Sequence, residues 1–392
     1  MSKHLRSSFP ESVPRVVLSI RHYVPDGGGA EVLAHRLAVE LVKRGLPLKV
    51  LTGRYDRRRG METLDGVPVR RHFIGAYVPV LHEICYLASF AWQLIVRRHE
   101  YDIVHVFQTQ LSAFVAVLIA KGLGKRVITT CHSLGASGGD MTAWSVLPTG
   151  KRLLRYVCSH IDAATGVSLE IVTKLQEIGF PSNRTWYIPN GVPIQPAPLN
   201  TPKEARPLPG IGGGSLLVLF VGRLAAPKLP ESLLDAWLAV QRRFPNARLA
   251  FVGDGEKRAD LEASAERAGR KNTVLFVGRI SHVNDYLRRA DIFVMPSARE
   301  GMPLALLEAM AAGLPVIGSK TGGMADVIRH GENGLLVEPG DQEGLISCLS
   351  LLMGSEERRS ELGKKARHTV NQHFSLDAVV DRYIALYQSL RT

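Results

Sequence analysis

The sequence predicts an α/β protein of two doubly wound halves facing across a cleft. Three observations carry this expectation. Short β-branched runs alternate with helix-period stretches through the first half of the chain. A proline- and glycine-rich stretch then interrupts the pattern, with Pro193, Pro196, Pro198, Pro202, Pro207, Pro209 and Gly210 leading into Gly212-Gly213-Gly214. After it the alternation restarts. Strands alternating with helices of this length indicate parallel sheet made of βαβ units, and the interrupting composition marks a connection between domains.

Residues 15–21 form the first strand-like run, followed by Gly27-Gly28-Gly29 and a helix-period stretch at 30–44. A second strand is expected at 48–52, a long helix at 81–98, and strands at 103–107, 127–130, 163–167 and 185–188. Beyond the linker, strands are expected at 216–221, 247–252, 274–277, 292–295, 316–317 and 334–337, with helices at 231–244, 257–268 and 303–312 among them. Helical segments close the chain, the last at 376–390. The expected domains are 1–195 and 215–374, joined by a linker at 196–214 and followed by a terminal helix at 375–392. Doubly wound halves bind ligands at the carboxyl ends of their strands.

With 392 residues the chain can build a core in each half. A hydrophobic fraction of 45% and a charged fraction of 22% are ordinary for a globular protein and argue against disorder, collagen and disulfide scaffolds. Cys85, Cys131, Cys158 and Cys348 are scattered and form no Cys-x-x-Cys pair, which favours a reduced compartment and no structural zinc. The formal net charge of +13 is uneven: residues 1–200 hold 24 Lys+Arg against 14 Asp+Glu (24 − 14 = +10), and residues 201–392 hold 25 against 22 (25 − 22 = +3). A basic half suggests an anionic partner such as a membrane surface. Residues 1–12 are polar, and the most apolar runs, 84–96 and 111–120, are shorter than the roughly 18–20 residues of a spanning helix. The expected location is cytoplasmic, with peripheral attachment at the inner face of the cell membrane left open.

Chemistry concentrates in the second half. Val221-Gly222-Arg223 leads to Lys228, and Glu300-Gly301-Met302-Pro303 leads to Glu308 in a Glu-x7-Glu spacing. Fixed cations suit a pyrophosphate, and carboxylates suit sugar hydroxyls. Glu308 falls in a run, 304–312, that otherwise reads as a buried helix, where a carboxylate is costly unless something hydrogen-bonds it. Pro303 suits the first helical position, where its missing N–H costs nothing. In the first half, Gly28 and Gly29 open a helix whose N-terminus can meet a phosphate, although the glycines equally make a turn and do not complete a Gly-x-Gly-x-x-Gly fingerprint. His132 ends a strand and ranks above His22 and His105 as a site residue, against the alternative of a core histidine. No His/Cys/Asp set has metal-ligand spacing, so neither a metal nor another cofactor is expected.

Taken together, these motifs resemble glycosyltransferase family 4, retaining enzymes of the GT-B fold with two Rossmann-like domains. The match covers most of the chain. It is strongest in Phe-Val-Gly-Arg-Leu ending at Lys228, Phe-Val-Gly-Asp-Gly at 251–255, Ala-Asp-Ile-Phe-Val-Met-Pro-Ser at 290–297, Glu300 to Gly313, and 331–337; Gly28 to Glu31, 101–105 and 188–192 carry it in the first half. The resemblance implies that Arg223 and Lys228 bind the donor diphosphate, Glu308 the ribose and Glu300 the transferred sugar. It further implies that Gly301, Met302, Pro303 and Leu304 lie against sugar and phosphates, that Gly28 and Gly29 approach from the acceptor domain, that His132 contacts the reacting centre, and that Arg279 and Ile280 border the base. The last helix is expected to cross back onto the first domain. The chain departs from the family's pattern at Leu229-Pro230, where glycine is frequent, at Ser133, and at Asp326, where glutamate is usual.

The implied reaction moves a sugar from a UDP- or GDP-sugar to an acceptor with retention, the donor phosphate taking the acceptor's proton. The basic first half, with the apolar helix 84–96 ending in Arg97-Arg98, favours a lipid-linked or cell-envelope glycan acceptor. An epimerase or phosphorylase of the same fold, or a non-catalytic nucleotide-sugar-binding subunit, is the alternative. Nucleic acid is not expected, since charge alone supports it.

Overall fold

The computed structural model describes residues 13–25, 27–54, 60–74, 79–133, 140, 144–145, 147–194, 208, 210–212, 214–280 and 282–391. It divides into two compact units: Met1–Pro189 with Val379–Thr392, and Asn190–Ala378. Most of the expected linker lies outside the described residues.

The first unit contains β1 (Val16–Ser19), α1 (Gly29–Lys43), β2 (Leu48–Gly53), β3 (Met61–Leu64), β4 (Val67–His72), α2 (Pro79–Val96), β5 (Ile103–Val106), α3 (Leu111–Gly122), β6 (Arg126–Cys131), α4 (Gly150–His160), β7 (Ala163–Gly166), α5 (Leu169–Ile178) and β8 (Thr185–Tyr187). Their sheet order is β3-β4-β2-β1-β5-β6-β7-β8. Every pairing is parallel except β3 with β4. The inner strands β1, β5 and β7 are buried along their whole length, as parallel strands covered on both faces must be. Strand order reverses at β1, where Val16 pairs with Leu48 on one side and Ile103 on the other.

The β3–β4 hairpin was not anticipated. Its signal is Asp65-Gly66, both with positive φ (48° and 84°), the dipeptide a tight hairpin prefers. His105, one of the lower-ranked histidines, is a core residue. Its Nδ1 lies 2.8 Å from Tyr387 Oη and its Nε2 2.7 Å from Thr130 Oγ1, and burial pulls its pKa down to about 3. Tyr387 belongs to the terminal helix α13 (Leu376–Ser389), whose residues from Val379 onward are part of this unit.

The second unit contains β9 (Leu217–Val221), α6 (Pro230–Val240), β10 (Arg248–Val252), α7 (Arg258–Arg267), β11 (Val274–Gly278), α8 (Val283–Arg289), β12 (Ile292–Met295), α9 (Leu304–Ala311), β13 (Val316–Ser319), α10 (Gly322–Val327), β14 (Leu335–Val337), α11 (Gln342–Gly354) and α12 (Glu356–His373). Its six strands run in the order β11-β10-β9-β12-β13-β14, with every pairing parallel. Phe220, Trp237 and Phe251 anchor its core. Residues 190–194, expected in the first domain, belong to this unit: Val192 N–H donates to Phe374 O (3.0 Å), and Leu376 N–H donates to Val192 O (2.9 Å).

Candidate functional site

In the second unit the strand order reverses between β9 and β12. Loops leaving two such strands run to opposite sides of the sheet and open a crevice at the carboxyl ends. The two loops here carry Arg223 with Lys228, and Glu300 with Gly301, Met302 and Pro303. Ala298 N–H donates to Pro227 O (2.9 Å), which ties them together.

The β9 loop is held by its own backbone. Gly222 N–H donates to Val252 O (3.0 Å), Leu224 N–H to Asp254 O (3.0 Å), and a short 3-10 turn, Ala226–Lys228, closes on Lys228 N–H to Ala225 O (2.9 Å). Arg223 is exposed, with no side-chain hydrogen bond or ion pair among the described residues. Lys228 is half-buried and donates from Nζ to Glu300 Oε1, whose side chain is 8% exposed. Two sequence-predicted groups of opposite charge therefore meet in one ion pair. Leu229, where the chain departs from the family's frequent glycine, adopts a left-handed conformation (φ 46°, ψ 49°).

The β12 loop ends at α9. Pro303 is the residue before the helix rather than its first turn residue, because its ψ of 124° is extended. The first hydrogen bond of the helix is Leu307 N–H to Pro303 O, so the N–H groups of Leu304, Ala305 and Leu306 find no acceptor within the helix. Such a terminus attracts an anion. Glu308, one turn further, is half-buried between buried Leu307 and Ala309. Its charge thus costs less than a fully buried position would have implied.

Two features outside the sequence-predicted site residues shape this loop. Asn190 Nδ2 donates to Met302 O (2.6 Å) while Asn190 Oδ1 is buried without a partner among the described residues. Gly323 N–H donates to Gly301 O (2.5 Å). A Cβ at Gly323 would lie 2.4 Å from Gly301 O and 2.7 Å from Met302 Cβ, and one at Gly322 (φ 46°) would lie 1.7 Å from Glu300 O. Only glycine lets the β13–α10 turn press so closely under the Glu300 loop. The same device recurs under the β9 loop, where a Cβ at Gly253 would lie 1.9 Å from Gly222 O and one at Gly255 2.3 Å from Leu224 O. Arg279 and Ile280 follow the edge strand β11, separated from β9 by β10, with Arg279 exposed.

The first unit has its own cluster around β1 and β6. Gly28 precedes α1, and its N–H donates to Glu31 Oε2 (2.7 Å), so the donor expected to face a phosphate is occupied by the helix's own carboxylate. Gly29 is exposed at the helix start. His132 follows β6. Its ring packs on Phe107 at 4.6 Å between centroids, and its Nε2 is sealed from solvent with no hydrogen-bond partner among the described residues. Burial drops its pKa to about 4, leaving it a neutral imidazole at physiological pH. His132 N–H donates to Asp140 Oδ2 (2.5 Å), and Asp140 N–H to Ser133 O (3.0 Å). Burial pushes the Asp140 carboxyl up to about 7, against hydrogen bonds that lower it, and the nearby charge of Glu31 adds to the rise. Gly28, Glu31, His132 and Asp140 thus form one neighbourhood. His22 is exposed.

Two family models match the chain: Glycosyltransferase Family 4 over residues 27–195 and Glycosyl transferases group 1 over residues 203–369. The chain belongs to glycosyltransferase family 4. Among its relatives is N-acetyl-alpha-D-glucosaminyl L-malate synthase of Bacillus anthracis, 26% identical over 93% of this chain and 94% of that one. D-inositol 3-phosphate glycosyltransferase of Corynebacterium urealyticum is 28% identical over 94% and 92%. Among solved structures, Anabaena HepE in complex with UDP and glucose superposes with a TM-score of 0.79 at 18% identity, covering 96% of this chain and 100% of that one. Sucrose-phosphate synthase from Thermosynechococcus elongatus gives a TM-score of 0.79 at 23% identity, covering 96% and 99%. These likenesses establish the GT-B fold, with two Rossmann-like domains, and a family-4 member is a glycosyltransferase. No group of three or more metal-ligating side chains assembles among the described residues.

Proposed function

We propose that this glycosyltransferase transfers a sugar with retention, from a nucleoside-diphosphate sugar to a lipid-linked or cell-envelope glycan acceptor, without a metal ion. The observation that carries the reading is the convergence of Arg223, Lys228 and the free N-terminus of α9 at the β9/β12 switch point. A diphosphate seated there meets a guanidinium fork, an ammonium and helix N–H groups at once. Lys228 pairs with Glu300; a diphosphate is a second anion for its ammonium, and the Glu300 carboxylate can accept from sugar hydroxyls. Glu308, half-buried on the same helix, serves the ribose.

The chemistry needs charge stabilisation more than a base. The bond from the anomeric carbon to the diphosphate oxygen breaks, and negative charge develops on the departing nucleoside diphosphate. Arg223, Lys228 and the α9 terminus bring positive charge to meet it, which lowers the barrier. The acceptor oxygen bonds to the anomeric carbon on the face the diphosphate leaves, and its proton passes to a diphosphate oxygen. The UDP complex of HepE supports a uridine donor, and a relative named for lipopolysaccharide core biosynthesis in Rhizobium meliloti, 31% identical over 50% of this chain, supports an envelope acceptor.

Calorimetric titration with UDP, GDP and ADP tests the donor site. One nucleotide should bind, and Lys228→Ala and Glu308→Ala should each weaken it at least tenfold while keeping the fold. Lys228→Ala should also cut turnover by about a hundredfold, the usual loss for one preorganised donor. Unchanged affinity in both variants refutes this placement.

A further inference from the structure

Helix α2 is apolar on two opposite faces. Tyr86, Phe90 and Leu94, four residues apart, are buried, with Tyr86 and Phe90 stacked on His72. The opposite face needs no apolar residue for folding, yet it carries Leu81 (48% exposed), Ile84 (58%), Trp92 (62%), Ile95 (39%) and Val96 (48%), with exposed Ala88 between Ile84 and Trp92. Spacings of three and four residues place these side chains in one stripe along the helix. Single exposed apolar residues are normal, but a continuous stripe with a tryptophan at its centre marks an interaction surface.

The charge around the stripe identifies what meets it. Helix α2 packs on α3, whose Leu118 is 48% exposed, and α3 packs on α4 through Phe114 and Tyr156. Helix α4 presents Lys151, Arg152 and Arg155 to solvent, and Arg98 stands just beyond the end of α2; none of these four forms an ion pair among the described residues. An apolar stripe beside unpaired cations matches the acyl boundary and the headgroups of an anionic bilayer. A second copy of the chain is disfavoured, since pairing the stripes would bring two sets of these cations together. The stripe does not make a membrane span: no described helix is long and apolar enough to cross.

We infer that the outer face of α2, together with α4 on the other side of α3, is a membrane-docking surface that lies on an anionic lipid bilayer. It deepens the acceptor reading above by stating where an acceptor held in a bilayer is met, and its geometry stands without any donor. Trp92 and Ile84 enter the acyl boundary, and Arg98, Lys151, Arg152 and Arg155 contact phosphate headgroups. Neither set includes a residue assigned to the donor.

Vesicle flotation without nucleotide tests it, using phosphatidylcholine alone and phosphatidylcholine with one third phosphatidylglycerol. The full chain should float with the anionic vesicles, remain behind with the neutral ones, and show a blue shift in tryptophan emission on binding. The Ile84→Ser/Trp92→Ser double variant should lose flotation and the shift with an unchanged melting temperature. Arg98→Ala and Arg152→Ala should each weaken binding about fivefold, and added salt should act in the same direction. A chain that floats with neither vesicle, or a folded double variant that floats like the parent, overturns the proposal. A dimer in sedimentation that the double variant dissociates, with no vesicle binding, overturns it in favour of self-association. Donor hydrolysis by the double variant should equal that of the parent, so failure of docking and failure of the transferase reading remain distinguishable.

Discussion

Adding one methyl group at Gly323, in the β13–α10 turn that presses on the Glu300 loop, should disable the donor site. The new Cβ would sit 2.4 Å from Gly301 O, whereas ordinary contact begins at 3.4 Å. The Glu300–Met302 backbone must therefore retreat by about 1 Å, the difference between those distances. The retreat breaks the 2.5 Å hydrogen bond from Gly323 N–H to Gly301 O and drags Met302 O from Asn190. One lost hydrogen bond costs about 1 kcal/mol and overpacking about 1–3 kcal/mol, so Gly323→Ala should lose about 2–4 kcal/mol of stability. The functional loss should be larger. A misplacement of about 1 Å in a positioned catalytic group lowers rate on the order of a hundredfold. Gly354→Ala is the control, because its Cβ meets nothing within 4 Å, its φ is not positive, and it lies in the last turn of α11. Thermal melts and initial rates of donor turnover on the two variants decide the matter. Gly323→Ala with parental melting temperature and a rate within threefold of the parent would refute the idea that the glycine pair sets the loop.

Two further perturbations probe local strain and charge. At Leu229 the left-handed backbone reverses the usual ranking of alanine over glycine, so Leu229→Gly should be about 0.5–1 kcal/mol more stable than Leu229→Ala in chemical denaturation; the reverse order would show that φ 46° carries no strain. Asp140 should leave a signature in stability against pH. Its folded pKa of about 7 lies above the unfolded value of 3.8, so the folded chain holds a proton that the unfolded chain has released. The contribution is full below pH 4 and is lost as pH rises toward 7, at about 1.4 kcal/mol per pH unit at most. The buried neutral histidines His72, His105 and His132 act in the opposite sense, since their folded pKa values near 4, 3 and 4 lie below 6.5 and their contribution is lost as pH falls. Subtracting the Asp140→Asn curve from that of the parent isolates the aspartate. A flat difference between pH 4 and 7 would mean that Asp140 is ionised throughout.

Much of the architecture and the identity of the charged groups were legible in the linear chain. Buried parallel strands must be continuous β-branched runs, so most of them were visible within a residue or two, and β12 at Ile292–Met295 matched at both ends. The hairpin at Asp65-Gly66 was legible too, through a turn signal that was passed over. Arg223, Lys228, Glu300 and Glu308 stood out because charges next to apolar strands and helices are costly without a ligand or partner. Other facts depend on groups distant in sequence. That Lys228 and Glu300 neutralise each other, that Gly322 and Gly323 cradle the Glu300 loop, that Asn190 holds Met302 O, and that Asp140 holds His132 N–H are outcomes of packing. So is the difference between His105, sealed by Tyr387 and Thr130, and His132, whose Nε2 has no partner among the described residues. The sequence by itself determined which segments become strands and which chemical groups stand at their ends, because local periodicity and the cost of burying charge act along the chain. Only the tertiary structure decided which of those groups touch, how the glycines bring backbones together and which apolar face of α2 stays uncovered, because those depend on close approach between segments that the chain itself holds far apart.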